Sequence, residues 1–236
     1  MKPYYENENG KLYLGKCEEI MPELEKVDLV LTDPPYDIET SGGGIYNQED
    51  KQYVKELKDI KDGFSDDILK LIGQGVKKVN LYIFCSQKQL INLLNFFVTC
   101  RGYNYNILSW HKNNPGPACG NKYLTDTEYI LFFREKGVKL YGTYKTKKTF
   151  FVTELNQSDK RKYNHPTIKP TGIIRELIIN STIENNIVLD PFFGSGSTGV
   201  ACEDLDRKWI GIEKEEKYCE ISAKRIEAEN KQLKMF

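Results

Sequence analysis

No stretch of the 236-residue sequence approaches the apolar length of a membrane span, and the N-terminal MKPYYENENGKLYLG lacks the apolar core of a secretory signal. A cytoplasmic location and no membrane partner are therefore expected. Cysteine is present without metal-binding spacing: Cys17, Cys85, Cys100, Cys119, Cys202 and Cys219 form no CxxC pair and no close cysteine/histidine cluster. Reduced structural thiols and no metal are the expectation. Histidine is scarce, and neither His111 nor His165 has a nucleophile near it in sequence, so no histidine-based catalysis is expected. Net charge is missing too, because 34 lysines and arginines balance 34 acids. The whole-molecule field does not select a polyanion.

What is there is a globular balance, with 39% apolar and 29% charged residues, long enough for one domain with a continuous core. Short runs rich in β-branched and aromatic residues predict seven strands at 11–14, 27–32, 79–84, 103–110, 127–133, 187–189 and 209–212. Helical patterns lie between several of them, at 66–72, 87–99, 172–181, 198–205 and 215–229. Alternating strands and helices imply an α/β fold, a mostly parallel sheet covered on both faces. Residues 37–63, which open with the glycine-rich SGGGIYNQ, and residues 137–164, polar and basic, break the pattern and are read as loops of a single domain spanning 1–236.

Charge is local where it matters. Between Arg134 and Lys169 stand ten basic residues, among them Lys145, Lys147 and Lys148, against Glu135, Glu154 and Asp159. The stretch suits a phosphate backbone or a solvated face.

Two strand ends carry the chemistry. The first, Ile187-Val188-Leu189-Asp190-Pro191-Phe192-Phe193-Gly194-Ser195-Gly196-Ser197-Thr198-Gly199, reads as a buried strand, a glycine turn and a helix start. Its glycines satisfy GxGxxG, and Glu213 follows 213 − 194 = 19 residues later, where an acid can hold ribose hydroxyls. A dinucleotide dehydrogenase fits that spacing. Asp190 argues against it, since a carboxylate at the strand end repels a pyrophosphate and attracts the ammonium of a methionine moiety.

The second end, Val27-Asp28-Leu29-Val30-Leu31-Thr32-Asp33-Pro34-Pro35-Tyr36, sets an acid before two prolines and an aromatic ring. The prolines stiffen the turn and remove two backbone donors, leaving acceptors. An exocyclic amine on a base is a poor nucleophile. Hydrogen bonds from it to Asp33 and the Pro34 carbonyl favour a pyramidal nitrogen with its lone pair on the electrophile, while Tyr36 stacks on the base. A base treated this way must leave the duplex.

Together the DPPY turn and the DPFFGSGST loop resemble the amino-group DNA methyltransferases, in the permuted β group whose catalytic motif precedes the cofactor motif. His165-Pro166-Thr167-Ile168-Lys169-Pro170 resembles that group's HPTxKP segment, and the likeness extends to residues 12–20, 83–86, 110–115 and 126–129. It implies a Rossmann-like, circularly permuted seven-stranded sheet in which the N-terminal strand joins the two C-terminal ones. It implies S-adenosylmethionine as cofactor, held by Cys17, Asp33, His165, Thr167, Lys169, Asp190, Phe192, Phe193, Gly194, Ser195, Gly196, Ser197, Thr198 and Glu213. Catalysis falls to Asp33, Pro34, Pro35 and Tyr36. Lys16 departs from the acid that the family usually has after the first glycine.

Double-stranded DNA is the implied partner, touched by Lys112, Asn113, Lys145, Lys147 and Lys148, with residues 37–63 and 137–164 as recognition loops. A cognate restriction endonuclease and a monomeric or homodimeric state are the accompanying expectations. Asp at the first position of DPPY favours the N6 amine of adenine. The N4 amine of cytosine, an RNA or protein substrate, a non-catalytic nucleic-acid binder and the dehydrogenase are the alternatives.

Overall fold

The apolar runs of the chain line up as the strands of one sheet in the computed structural model, which describes residues 1–34, 65–115, 121, 123–154 and 168–233. Nine strands are β1 (Tyr5–Glu6), β2 (Gly10–Leu14), β3 (Leu29–Thr32), β4 (Asn80–Cys85), β5 (Asn104–Lys112), β6 (Thr127–Arg134), β7 (Phe150–Thr153), β8 (Ile187–Asp190) and β9 (Lys208–Glu213). Their order is β1-β2-β9-β8-β3-β4-β6-β5-β7. Neighbours from β2 through β4 run parallel, and β6 is antiparallel to both β4 and β5. The described helices are α1 (Cys17–Ile20), α2 (Asp66–Gln74), α3 (Leu90–Leu94), which runs on into a wider turn at Asn95–Thr99, α4 (Thr171–Ser181), α5 (Ser197–Glu203) and α6 (Glu216–Leu233).

Central strands read as unbroken apolar runs because both of their faces are covered. Along β4, whose six residues are all buried, Leu81 and Ile83 enter one core while Tyr82 and Phe84 enter the other. Period-two alternation splits a single hydrophobic run between two helical layers. One layer packs α4, α5 and α6 through residues such as Ile174, Leu177, Val200 and Ile226; the other packs α2 and α3 through Leu69, Ile72 and Leu93.

All seven expected strands form, and β2 joins β9 and β8 as the resemblance implied. Two more extend the sheet at its edges. β7 lies inside 137–164, so that stretch is not wholly loop: Phe150-Phe151-Val152-Thr153 pairs in parallel with β5 and buries Phe151. A second difference is that α1, four residues long, follows β2 where no helix was expected.

The crossover from β3 leads to β4 on one side, whereas that from β8 leads to β9 on the other. β3 and β8 are neighbours, with Val30 opposite Leu189. The sheet therefore has its topological switch point between them, the place where open α/β sheets take up their ligands. Among the described residues, no helix is long and apolar enough to cross a membrane.

Candidate functional site

Asp190 and Thr32 end the two strands that flank the switch point. The Thr32 hydroxyl donates to Asp190 Oδ1 at 2.9 Å, the Thr198 hydroxyl donates to Oδ2 at 2.7 Å, and the Phe192 amide donates to Oδ1 at 3.1 Å. Burial pushes the Asp190 carboxyl up to about 7, against the pull of those hydrogen bonds. On the adjacent strand, Glu213 is held by the amides of Gly194 at 2.8 Å and Glu215 at 2.9 Å. Burial raises this carboxyl as well.

The glycine turn between them is built around Phe193. Gly194 and Gly196 hold φ of 50° and 76°, left-handed values that favour glycine. A Cβ on Gly199 would lie 2.7 Å from the Phe193 ring, and one on Gly211 would lie 2.5 Å from it. Phe193 thus fills a slot left by glycines and stacks on Trp209 at 5.2 Å. Its ring is core, so any part it plays at the switch point is through its backbone. Phe192 is partly buried in the opposite core.

Arg225 of α6, only 5% exposed, reaches across to this turn. Its Nη1 donates to the Ser195 carbonyl at 3.1 Å and to the Ser197 hydroxyl at 2.9 Å, tying the loop to the C-terminal helix. The Ser197 hydroxyl in turn lies 3.4 Å from the Lys169 carbonyl.

Asp33 follows β3 directly, with Pro34 buried behind it. Its Oδ2 lies 2.6 Å from Lys169 Nζ, and that ammonium also pairs with Glu128 Oε2 at 3.2 Å. Burial works against the charge on Lys169, but the two carboxylates outweigh it and hold its pKa above the ordinary lysine value. Lys112 at the end of β5 completes the row, 2.6 Å from Glu128 Oε1.

The expected cofactor set therefore gathers in part. Asp190, Ser195, Ser197, Thr198, Glu213 and the glycines share one strand-end region. The Gly15 amide bonds the Glu213 carbonyl at 2.9 Å, which places Cys17 beside that strand end. Cys17 is buried, and burial pushes its thiol up to about 12, so it stays protonated. Lys169 sits against Asp33 and Glu128. Pro35, Tyr36, His165, Thr167 and the 37–63 loop lie outside the described residues.

Of the expected DNA contacts, Asn113, Lys145, Lys147 and Lys148 are exposed. Lys112 differs: its side chain is 12% exposed and committed to Glu128, so its charge faces the protein rather than solvent. Sequence reasoning assigned no role to Thr32, Glu128 or Arg225. Their partners are 158, 41 and 28 to 30 residues away, and nothing local announces them.

Acidic strand ends, a glycine turn and a topological switch define an α/β protein built to hold an adenosine-containing cofactor at the carboxyl edge of its sheet. The N6/N4 family model described as DNA methylase matches residues 27–224, and the chain belongs to that family as an S-adenosylmethionine-dependent DNA methyltransferase. It is 33% identical to the Type II methyltransferase M2.LlaDCHI of Lactococcus lactis subsp. cremoris, covering 95% of this chain and 92% of that one. It is 30% identical to the Type II methyltransferase M2.MboI of Moraxella bovis, covering 95% and 91%. Among solved structures, the M1.HpyAVI–SAM complex superposes with a TM-score of 0.69 at 29% identity, over 92% of this chain and 98% of that one. The cytosine-N4-specific PvuII DNA methyltransferase shares the fold, with a TM-score of 0.73 at 19% identity over 95% and 88%. The dehydrogenase alternative falls with family membership.

Proposed function

We propose that the protein is a site-specific methyltransferase acting on the N6 amino group of adenine in double-stranded DNA. The observation that carries this is the juxtaposition at the switch point: Asp33 directly follows the last residue of one strand, Asp190 ends its neighbour, and Thr32 bonds Asp190 directly. An acceptor for an amine and a carboxylate for a cation thus share one switch point.

The residues present fit S-adenosylmethionine. Asp190 suits its ammonium and Glu213 its ribose hydroxyls, while the glycines let the turn between them close around Phe193, where a Cβ would collide. When bound, the cofactor would supply a sulfonium methyl: the C–S electron pair would stay with sulfur as the amine nitrogen forms the new N–C bond and releases one proton to solvent. Asp33 and the Pro34 carbonyl accept hydrogen bonds from the amine and aim its lone pair, and Tyr36 stacks on the extruded base. Pro35 stiffens the turn, while Cys17, His165 and Thr167 complete the cofactor's surroundings. No metal takes part in this scheme.

The choice of adenine rests on the Asp at the first position of DPPY, the residue that adenine enzymes of the family usually carry. The protein acts as one catalytic unit, monomeric or homodimeric and cytoplasmic, alongside a cognate restriction endonuclease, as its likeness to Type II methyltransferases suggests. Residues 37–63 and the lysines of 137–164 meet the DNA.

Incubation of the purified protein with mixed-sequence duplex DNA and labelled S-adenosylmethionine, followed by digestion to nucleosides, tests the reading. Label is expected on N6-methyladenine. Label on N4-methylcytosine would overturn the base, and label confined to RNA or protein would overturn the substrate class.

A further inference from the structure

Four charged side chains of alternating sign lie in a row at the carboxyl edge of the sheet, each from a different part of the chain. Asp33 stands beyond β3, Lys169 just before α4, Glu128 in β6 and Lys112 at the end of β5, with successive contacts of 2.6, 3.2 and 2.6 Å. The row is not a surface ion-pair chain: side-chain exposures are 22%, 6%, 16% and 12% from Asp33 to Lys112. The sheet sets the spacing, since Glu128 pairs in register with Trp110, two residues before Lys112. Both ammonium groups also stand over aromatic rings, Lys169 at 5.4 Å from Phe84 and Lys112 at 5.3 Å from Trp110.

Such a row is a poor way to stabilise a fold. Removing four charges from water costs solvation that their mutual attraction only partly returns, and apolar residues of similar volume often do as well or better. What it supplies is geometry. An ammonium has three donors, and with two carboxylates on different sides Lys169 has little freedom to turn. Its contact with Asp33 then fixes how that carboxylate is presented. Glu128 is held from behind by Lys112, so the restraint passes from β5 through β6 to the end of β3.

We infer that Glu128, backed by Lys112, is a positioning residue for methyl transfer: it anchors Lys169 so that Asp33 meets the target amine in one orientation. The inference rests on the reading of Asp33 as the amine's acceptor. It also gives Lys112 a role inside the protein in place of a phosphate contact.

The test compares Glu128→Ala, Glu128→Gln, Lys112→Met and Asp33→Asn by single-turnover methylation at saturating DNA and cofactor, with cofactor affinity, melting temperature and the salt dependence of DNA binding measured alongside. Glu128→Ala should lower the transfer rate by about 10- to 100-fold, the cost of misplacing an acting group, with cofactor affinity within about twofold of wild type. Glu128→Gln keeps length and an acceptor and should recover part of the rate. Lys112→Met should lower the rate less than Glu128→Ala and leave the salt slope of DNA binding unchanged.

Wild-type rates in folded Glu128→Gln and Lys112→Met, with Asp33→Asn inactive, would overturn the inference and leave the site reading standing. A wild-type rate in Asp33→Asn would overturn both. Lowered melting temperatures with unchanged transfer would make the row merely structural, and a shallower salt slope in Lys112→Met would return that lysine to the DNA. If Glu128→Ala does not fold, the two length-preserving variants decide.

Discussion

Asp190 is a carboxyl group surrounded by donors and almost no water, and its titration follows from that environment. Burial carries it from an ordinary 3.8 to about 7. Between those values the folded protein holds a proton that the unfolded chain gives up. The group therefore favours folding at low pH, and its contribution, on the order of 4 kcal/mol, is lost as pH rises through about 7, the reverse of a salt-bridged carboxylate. A cation settling beside Asp190 favours the ionised form, so cofactor binding should expel a proton. Calorimetry of S-adenosylmethionine binding at about pH 6.5, in buffers of different ionisation heat, should register net proton release, and affinity should weaken as pH falls further. Binding with no proton exchange at that pH would mean that Asp190 does not face the cofactor's charge.

At the scale of elements, the turn before β7 and the strand itself present the basic stretch. Asn180 of α4 fixes that turn, donating to the Thr146 carbonyl and accepting from the Thr146 hydroxyl, both at 2.8 Å, so Lys145, Lys147 and Lys148 project from an anchored segment. If all three meet phosphates, replacing them with glutamine should make the slope of log affinity against log salt shallower by about 3 while changing sequence preference little. An unchanged slope would make the turn a solvated face.

β7 also marks where sequence reading stops. The central strands were legible because burial on both faces leaves an unbroken apolar run, and the two acidic strand ends because Asp190 and Asp33 each close such a run. β7 is four residues set among lysines and threonines, with Phe150 and Val152 exposed, and its pairing with β5 depends on residues about forty positions away. Thr32, Glu128 and Arg225 were illegible for the same reason: each acts through a partner that only the sheet brings near. Lys112 was legible as a basic residue, but not as one whose charge turns inward.

Across the whole molecule, formal neutrality coexists with a division of labour that the sheet imposes. The β2-β9-β8 side carries the glycine turn and the two buried acids, the β3-β4-β6-β5 side carries Asp33 and the charge row behind it, and the basic turn lies at the far edge beside β7. On the proposed reading, cofactor and base fall on successive parts of the carboxyl edge, with the switch point between them, while the basic turn, which precedes β7, lies toward the opposite ends of the strands. The central chemical event assigned to this edge is the transfer of a methyl group to an adenine amine through Asp33. Nucleoside mass spectrometry of DNA from cells expressing the wild-type protein or Asp33→Ala tests it most directly. N6-methyladenine is expected with the wild type and at background level with Asp33→Ala; no new modified base with the wild type, or equal modification by both proteins, would contradict it.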